Sequence, residues 1–374
     1  MTERLGRVWG ILALPLISIV LSVIVGSAVI IVSEWLVVGQ LKPGLAVAAY
    51  GALLNGSVGS FNAIVNTLVA TVPLLLGGLS VGLAFKAGLF NIGAQGQFLM
   101  GALGSVIVGI QLGKSPGIVA VPLSLAAGML AGAAWGFIPG FLKATRGAHE
   151  VVTTIMLNFI AVAFLAFMVS GPLDVEASPS PITLDVGQSA LPIILGRNGH
   201  LGIVLAPMMA ILYGLLLFRT TRGFEIRVAG ASPDAARYAG MSPRRLIMWT
   251  MSVAGMLAGM AGGAELLGTT HHMTASYGTT VGFDAIAVAL LGRTSPIGIV
   301  LAALLFGAMR SGASAMQIQA GVPAELVGVL QATILFFLVA SPVIKRVFRL
   351  KGARSGLEDS GTFTSTYGGE AKIA

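Results

Sequence analysis

A polar, glycine-rich stretch interrupts apolar sequence between Gly77 and Gly101. It reads GGLSVGLAFKAGLFNIGAQGQFLMG, and it begins and ends like a membrane helix. Its middle contains a lysine, an asparagine and two glutamines among glycines. A lysine at mid-bilayer depth costs about 2.5–3.5 kcal/mol on insertion scales, so such a segment is expected to line a cavity or form a helix joint. This interruption constrains the fold more than any other feature of the sequence.

The rest of the chain is strongly apolar. Of its 374 residues, 56% are hydrophobic and only 10% are charged, and the mean hydropathy is +0.92. Such a composition excludes a soluble globular protein and a folded soluble catalytic domain of any size. Cysteine is absent, which excludes disulfides, thiolate catalysis and cysteine metal sites. We therefore predict an all-α membrane protein.

Recurring apolar segments predict about ten transmembrane helices. The segments lie at about residues 10–32, 62–85, 92–112, 117–142, 151–170, 201–218, 248–268, 283–292, 296–310 and 325–341. Those near 283–310 are too short for two regular perpendicular spans. Together with the polar stretch, they predict broken helices near 86–97 and 268–293.

The positions of the basic residues predict the orientation in the membrane. With the N-terminus inside, all but Lys42, Lys114, Arg197 and Arg310 of the 22 lysines and arginines fall on or towards the cytoplasmic side, in line with the positive-inside rule. Both termini are then cytoplasmic. The net charge of +8 is thereby explained by topology, and no nucleic-acid partner is predicted.

The predicted organisation has three regions. They are an N-terminal span with an external segment (1–61), a main membrane domain (62–345) and a disordered cytoplasmic tail (346–374). Within the main domain, residues 62–170 and 248–341 each hold four apolar segments and enter the membrane from opposite sides. They are therefore interpreted as inverted halves, joined through a cytoplasmic loop at 219–247.

Glycines repeat every four residues in two of the predicted helices. The two sets are Gly128, Gly132, Gly136 and Gly140, and Gly255, Gly259 and Gly263. Each set gives a helix one smooth face for close packing. The face serves either packing within the subunit or a seam between two subunits.

The polar loop contains a predicted short helix at about 232–241. Ser232 is a suitable N-cap, Pro233 fits the first helical position and Asp234 favours the first turn. Gly240 can end the helix. Such a capped helix is either a knob that docks on a partner protein or a solvated connector.

Three stretches carry a family resemblance: GLAFKAGLFNIGAQGQ, HEVVTTIMLNFIA and GFEIRVAGASPDAARYAGM. They resemble membrane permease subunits of ABC importers. Within that group they are most similar to permeases for nucleosides and simple sugars, in the superfamily shared with branched-chain amino-acid and ribose permeases. The resemblance covers about residues 60–345. The longer N-terminal portion resembles the larger of two unlike permeases that pair in nucleoside systems.

This resemblance implies a transport subunit with no catalytic site of its own. It implies import of a nucleoside or simple sugar across a bacterial-type inner membrane, with ATP and Mg bound by a separate ABC ATPase. The other implied partners are a second permease, which is either a sister or a second copy, and an extracytoplasmic solute-binding protein. The implied ATPase-coupling residues are Glu225, Arg227, Gly230, Pro233, Asp234, Ala235, Ala236, Tyr238 and Gly240.

The candidate residues of the substrate pathway are Phe85, Lys86, Phe90, Asn91, Gln95, Gln97, Asn158, Glu265 and Asp284. Each has a structural alternative. Lys86 can reach the cytoplasmic interface instead, the amides can bond the backbone of a broken helix or a neighbouring helix, and the phenylalanines can face lipid or core. His271 and His272 lie between the two carboxylates, but transport of a neutral substrate needs no metal, and no metal site or cofactor is predicted.

One departure from the family pattern bears on mechanism. Relatives commonly have glutamate where this chain has Gln95. A role that needs a carboxylate at this position, such as pairing Lys86, is therefore not expected, although an amide still bonds a sugar hydroxyl or a base edge. The alternative function is an ion-coupled secondary transporter of a small polar solute. Its only candidate ion sites are Glu265, Asp284 and the break near Asn91.

Overall fold

The computed structural model describes residues 2–40, 42–175, 180–277 and 280–340. The predicted all-α architecture is confirmed. The helices are α1 (Thr2–Val38), α2 (Gly44–Val58), α3 (Phe61–Lys86), α4 (Ala94–Gln111), α5 (Gly117–Arg146), α6 (Glu150–Val169), α7 (Gly202–Arg219), α8 (Thr221–Ala231), α9 (Pro233–Tyr238), α10 (Pro243–Glu265), α11 (Val281–Leu291), α12 (Pro296–Ala320) and α13 (Leu326–Val339). A small antiparallel hairpin consists of β1 (Ile193–Leu195) and β2 (Gly199–His200). The predicted disordered tail, residues 346–374, lies outside the described residues.

Seven of the described helices are long and apolar enough to cross a membrane. They are Leu16–Leu36 in α1, α3, α5, α6, α7, α10 with the turn that follows it (Pro243–Thr270), and α12. Three shorter apolar helices, α2, α11 and α13, add to these. The predicted count of about ten spans is therefore not confirmed.

The structure adds a helix within one predicted segment and moves the end of another. Residues 34–61, predicted to form an external segment, contain the 15-residue helix α2, and the side of the membrane on which they lie stays a prediction. The apolar segment expected to end at 310 continues to Ala320, so Arg310 lies inside α12 and not in a loop. In α12, apolar and small residues continue the helix past a charge that hydropathy reads as a boundary.

Both predicted helix breaks are confirmed. Between α3 and α4, residues 87–93 are not helical. After α10 comes a π-helical turn at Leu266–Thr270. The described residues 271–277 and 280 are not helical, and α11 begins at Val281. α11 is separated from α12 by a second short gap at 292–295.

The described residues divide into two compact units. The first contains those up to Ala70 together with those from Leu304 onward, and the second is Thr71–Ala303. In the first unit, α1 is bonded to α13, since the Ser22 hydroxyl donates to the Leu330 carbonyl at 2.8 Å. α2 is bonded to α1 through the Tyr50 hydroxyl, which donates to the Val23 carbonyl at 3.1 Å. The sequence-based boundaries at 61 and 345, and the inverted halves, stay predictions.

The core of the second unit is built from α3, α4, α5 and α10. The part of α3 in this unit is almost entirely buried, and the Ser80 hydroxyl bonds it to the Ala254 carbonyl of α10 at 2.6 Å. The two predicted glycine faces pack against each other: a Cβ on Gly132 would lie 2.7 Å from the Cα of Gly259. Packing within the subunit is thus the role of these glycines, because only glycine lets two backbones approach so closely.

Loops that the sequence places on the same side of the membrane lie together in the second unit. At one end, the Gly88 turn contacts Gly230. At the other end, the Val186 amide donates to the His271 carbonyl at 3.0 Å. These contacts agree with the predicted alternation of sides for residues 71–303.

Candidate functional site

The break between α3 and α4 begins with a glycine turn. Gly88 has φ +71°, a left-handed conformation that favours glycine. The Leu89 amide donates to the Ala84 carbonyl and the Gly88 amide donates to the Phe85 carbonyl, both at 3.0 Å. This is the Schellman pattern, which satisfies the last carbonyls of a helix and turns the chain away from it. The segment 87–93 is therefore an ordered junction.

Side-chain amides hold the segment that follows. Asn91 and Gln97 form a reciprocal pair, with Nδ2 to Oε1 at 3.0 Å and Nε2 to Oδ1 at 3.3 Å. The Asn91 Oδ1 also accepts from the Gly93 amide at 3.0 Å. Both side chains are buried, at 0% and 1% exposed. Their hydrogen bonds are thus directed at the junction itself.

Asn158 binds the same segment from α6. Its Oδ1 accepts from the Gly96 amide at 2.8 Å, and its Nδ2 donates to the Ile92 carbonyl at 3.0 Å. It satisfies one donor in the first turn of α4 and one carbonyl of the break, both of which would otherwise be costly in a membrane interior. Asn158 therefore fixes the position of α4 relative to α6.

Gln95 joins the two broken-helix regions. Its Oε1 accepts from the Gly282 amide, in the first turn of α11, at 2.8 Å. The two helices touch here, because a Cβ on Gly282 would collide with the backbone of Gln95. The N-terminal ends of α4 and α11 therefore meet at one point.

A cavity of about 540 Å³ opens beside this meeting point. Its lining residues are Ile92, Gln95, Leu99, Ile155, Asn158, Phe159, Val162, Leu165, Ala275, Ser276, Tyr277 and Phe283. The walls are mainly aliphatic and aromatic, with two amides and two hydroxyls. This size and composition are typical of sites for small organic molecules.

The structure brings only two of the predicted pathway residues, Gln95 and Asn158, to the cavity. Phe85 and Phe90 pack on each other with ring centroids 5.0 Å apart, in a core cluster with Ala285 and Ala289 of α11. Lys86 is the last residue of α3. None of these three lines the cavity, and their role in transport stays a prediction.

The two predicted carboxylates lie near the second break. Glu265 is the last residue of α10, directly before the π-helical turn. Asp284 accepts a hydrogen bond from the Thr280 hydroxyl at 2.9 Å, in the first turn of α11. Among the residues that the structure describes, no group of three or more histidines, cysteines or carboxylates is placed to hold a metal ion.

The helix predicted in the loop is confirmed as α9. The Ser232 hydroxyl accepts from the Ala235 amide at 3.3 Å, and Pro233 is at the first helical position. Gly240, at φ +76°, follows the end of the helix. The side chain of Tyr238 is 94% exposed, whereas Ala236 is fully buried. One face of α9 is therefore buried at Ala236, and the helix exposes the aromatic side chain of Tyr238.

The helix before it, α8, carries the remaining predicted coupling residues. Glu225 pairs with Arg222 at 3.0 Å, and the Arg227 guanidinium lies 5.3 Å from the centre of the Phe218 ring. Gly230 is buried, and a Cβ there would collide with the carbonyl oxygen of Lys86. α8 thus packs directly on the junction between α3 and α4.

The chain matches the profile of one protein family over most of its length. The profile of the family described as the permease component of the branched-chain amino-acid transport system matches residues 63–339, which is most of the chain. The chain belongs to this family. It is accordingly a multi-pass membrane permease, a transport subunit and not an enzyme.

Individual relatives cover nearly the full length of the permease. It is 38% identical to the guanosine ABC transporter permease protein NupP of Bacillus subtilis, over 94% of this chain and 100% of the relative. It is 35% identical to the nucleoside ABC transporter permease protein NupB of Lactococcus lactis, over 88% and 91%. It is 34% identical to the glucose ABC transporter permease protein TsgB13 of Haloferax volcanii, over 80% and 82%. No solved structure matches the chain significantly.

Sequence reasoning missed one charged residue of the permease at the junction. Glu150, at the start of α6, is 5% exposed and forms an ion pair with Lys143. Its carboxylate also accepts a hydrogen bond from the Phe90 amide. A carboxylate in the first turn of an otherwise apolar helix was the available signal, since buried charges in membrane helices are costly and paired.

A buried histidine of the permease lies at the opposite end. His200 is 1% exposed, and its Nδ1 accepts from the Gly202 amide at 3.1 Å. Burial, and then the nearby charge of His271, lower the pKa of His200 to about 4. The imidazole is therefore neutral at physiological pH, and it acts as a packed acceptor.

Proposed function

We propose that this permease is the membrane subunit of an ATP-driven importer and that its substrate is a nucleoside. Relatives named for guanosine, for nucleosides and for glucose are all similar to it, so their names alone leave two substrate classes. The observation that favours a nucleoside is the chemistry of the cavity beside Gln95.

The cavity suits a planar, weakly polar group. Phe159, Tyr277 and Phe283 line it, and stacking of a base on an aromatic side chain contributes about 1–3 kcal/mol. A nucleoside presents such a base together with a ribose that has fewer hydroxyls than a hexose. The aromatic walls therefore match a nucleobase.

The same walls oppose a simple sugar. Both ends of the Asn158 amide are bonded to the backbone, and the Gln95 oxygen is bonded to the Gly282 amide. A hydroxyl that leaves water without a new hydrogen bond costs about 1–3 kcal/mol by protein mutational data. A hexose, with hydroxyls on every face, would lose more in this cavity than a nucleoside.

The location of the cavity supports a transport role. Asn158 is the ninth residue of the 20-residue α6, which places it about 12 Å of helix rise from the start. It lies therefore near the middle of a span, where transporters of the broken-helix type bind substrate. The ends of α4 and α11 that meet there are N-terminal and carry partial positive charge, which suits carbonyl and hydroxyl acceptors.

The same features argue against the ion-coupled alternative. The described residues that line the cavity include no aspartate, glutamate, histidine, lysine or arginine. A proton- or sodium-driven carrier commonly couples through such groups or through exposed carbonyls near the substrate. An external energy source, the ATPase of the relatives' transporters, fits better.

We place α9 on the ATPase. Its exposed face, with Tyr238 and Asp234, has the aromatic and polar character of an interface anchor. We also propose that both chain termini are cytoplasmic, as the distribution of basic residues predicts, and that the cavity receives substrate from an extracytoplasmic binding protein. A second permease, either a sister or another copy, completes the pathway.

The docking proposal is tested by co-purification with the ATPase. Tyr238→Ala should weaken ATPase retention about tenfold or more, as truncation of an aromatic anchor does. Ala235→Trp should weaken it as well, because the added ring would obstruct docking at this exposed position. Lys114→Ala, an exposed change in the loop after α4, serves as the control. Full ATPase retention by both α9 variants would remove α9 from the interface.

The cavity proposal is tested by nucleoside uptake in vesicles that contain the assembled importer. Phe159→Ala should raise the KM for guanosine, since it removes one stacking wall. Phe167→Ala is the matched control, because both rings lie on α6 and are similarly exposed, at 68% and 65%, but only Phe159 lines the cavity. Equal kinetics of the two variants would exclude this cavity as the substrate site.

A further inference from the structure

α8 and the α3–α4 junction meet backbone to backbone. A Cβ on Gly230 would lie 3.0 Å from the amide nitrogen of Gly88 and would collide with the Lys86 carbonyl oxygen. A Cβ on Gly88 would lie 3.2 Å from the Cα of Gly230. Such a contact has no flexible side chain in it, so a displacement of one backbone displaces the other.

On the loop side, α8 and α9 are joined through a single residue. Ser232 ends α8, where its amide donates to the Val228 carbonyl at 2.9 Å, and its hydroxyl also caps α9. α8 is fixed at its other end, because the Thr220 hydroxyl accepts from the Gly223 amide at 3.0 Å. Gly230 lies only two residues before Ser232, so a force on α9 reaches it directly, while the contact at Thr220 holds the far end of α8.

On the membrane side, the junction leads directly to the cavity. Ile92, four residues after Gly88, lines the cavity, and its carbonyl is bound by Asn158. Between them, the Phe90 amide is bonded to the Glu150 carboxylate. The segment from Gly88 to Ile92 thus has fixed contacts at both ends.

We infer that the contact of Gly230 with Lys86 and Gly88 is the joint through which movement of the ATPase-docking loop reaches the substrate cavity. The inference rests on the proposed function, since it requires an ATPase on α9. Gly230 and Gly88 act as positioning residues: they touch no substrate, and they set the position of Ile92 and the first turn of α4.

The absence of cysteine from the sequence makes a direct test possible. A single cysteine, Ile92→Cys, reports the state of the cavity by its rate of reaction with a membrane-permeant maleimide in the assembled importer. Addition of ATP should change this rate in the otherwise unaltered chain. If ATP changes nothing there, or if the ATPase does not co-purify, the proposed function itself fails.

The joint is then perturbed by Gly230→Ala in the same reporter chain. We expect this variant to bind the ATPase and to support ATP hydrolysis as before. ATP should no longer change the labelling rate at Ile92→Cys, and about tenfold less nucleoside should be imported per ATP hydrolysed, the size of a typical coupling effect. Gly51→Ala is the control, since nothing lies within 4 Å of its Cβ position.

A gentler variant guards against misfolding. In Gly88→Asn, the new residue tolerates a left-handed backbone, and its Cβ would lie no closer than 3.2 Å to Gly230. It should reduce import per ATP in the same direction with a smaller effect. An intact ATP response at Ile92→Cys in either folded variant would overturn the inference, because the signal would then bypass this contact.

Discussion

Replacement of Asn158 by leucine tests how the helix junction is held. The side chain makes two hydrogen bonds to backbone groups, at Gly96 and Ile92, and it is only 5% exposed. Leucine has a similar volume but can make neither bond. The change therefore leaves one buried amide and one buried carbonyl without their partner.

The expected cost follows from these two groups. Each unsatisfied buried group costs about 1–3 kcal/mol, and a buried leucine offsets about 2 kcal/mol of the total. The net loss is centred on about 2 kcal/mol, which corresponds to a factor of about 30 in a local opening equilibrium. Because both of these hydrogen bonds go to the junction and the first turn of α4, the loss should be local.

Hydrogen exchange read by mass spectrometry measures this directly. In Asn158→Leu, peptides from residues 86–97 should lose about 30-fold in protection while those from α5 and α10 change little. Met156→Leu, an exposed position on the same helix, is the control. Unchanged protection of 86–97 would refute the assignment of Asn158 as the residue that holds the junction.

Three further changes probe other parts of the permease. Burial holds the pKa of His200 at about 4 against an ordinary 6.5, so stability that is present above pH 6.5 is lost as pH falls towards 4, by up to about 3 kcal/mol. In His200→Asn, the melting temperature should vary less with pH between these values than in the unaltered chain. An unchanged dependence of the melting temperature on pH would contradict this. Gly259→Ala should lower the free energy of unfolding by about 1–3 kcal/mol through overpacking, because its Cβ would lie 2.9 Å from the Cα of Gly132. A melting temperature equal to that of Gly51→Ala would show that this helix pair can separate. Glu150→Gln should cost about 1.5–3 kcal/mol through loss of its charged hydrogen bond, and Lys143→Met should restore part of it; an unaffected single variant would show that the ion pair is not needed.

Local signals in the sequence predicted the elements that local chemistry determines. Ser232, Pro233 and Gly240 carry the capping chemistry of α9, and the structure uses each of them as expected. Glycines at four-residue spacing predicted a smooth face on each of α5 and α10, since spacing along a helix fixes which residues share a face. The structure shows that these two faces pack on each other.

Contacts between residues far apart in the sequence could not be predicted from these local signals. The bond between Gln95 and the Gly282 amide joins residues 187 positions apart, and no periodicity reports it. Asn158 was recognised as polar, but its choice of the Gly96 and Ile92 backbone over a substrate depends on where the break lies. The aromatic wall at Phe159 was missed because an apolar ring on a membrane helix looks the same in sequence whether it faces lipid or a cavity.

The number of spans was the weakest prediction, and α11 shows why. Its 11 residues are apolar enough to enter a membrane but too short to cross it. The apolar segments 283–292 and 296–310 were recognised as too short for two regular spans, but apolar length alone does not show whether such a helix crosses the membrane or ends within it. Broken helices near a transport site thus reduce the accuracy of a span count in the place where function is concentrated.

Uptake by the assembled importer in proteoliposomes shows whether the permease imports a nucleoside at the expense of ATP. Radiolabelled guanosine should accumulate when ATP is present with the ATPase. It should not accumulate with an ion gradient alone, and excess glucose should not compete. Accumulation of glucose in place of guanosine, or guanosine uptake without the ATPase, would contradict ATP-driven nucleoside import by this permease.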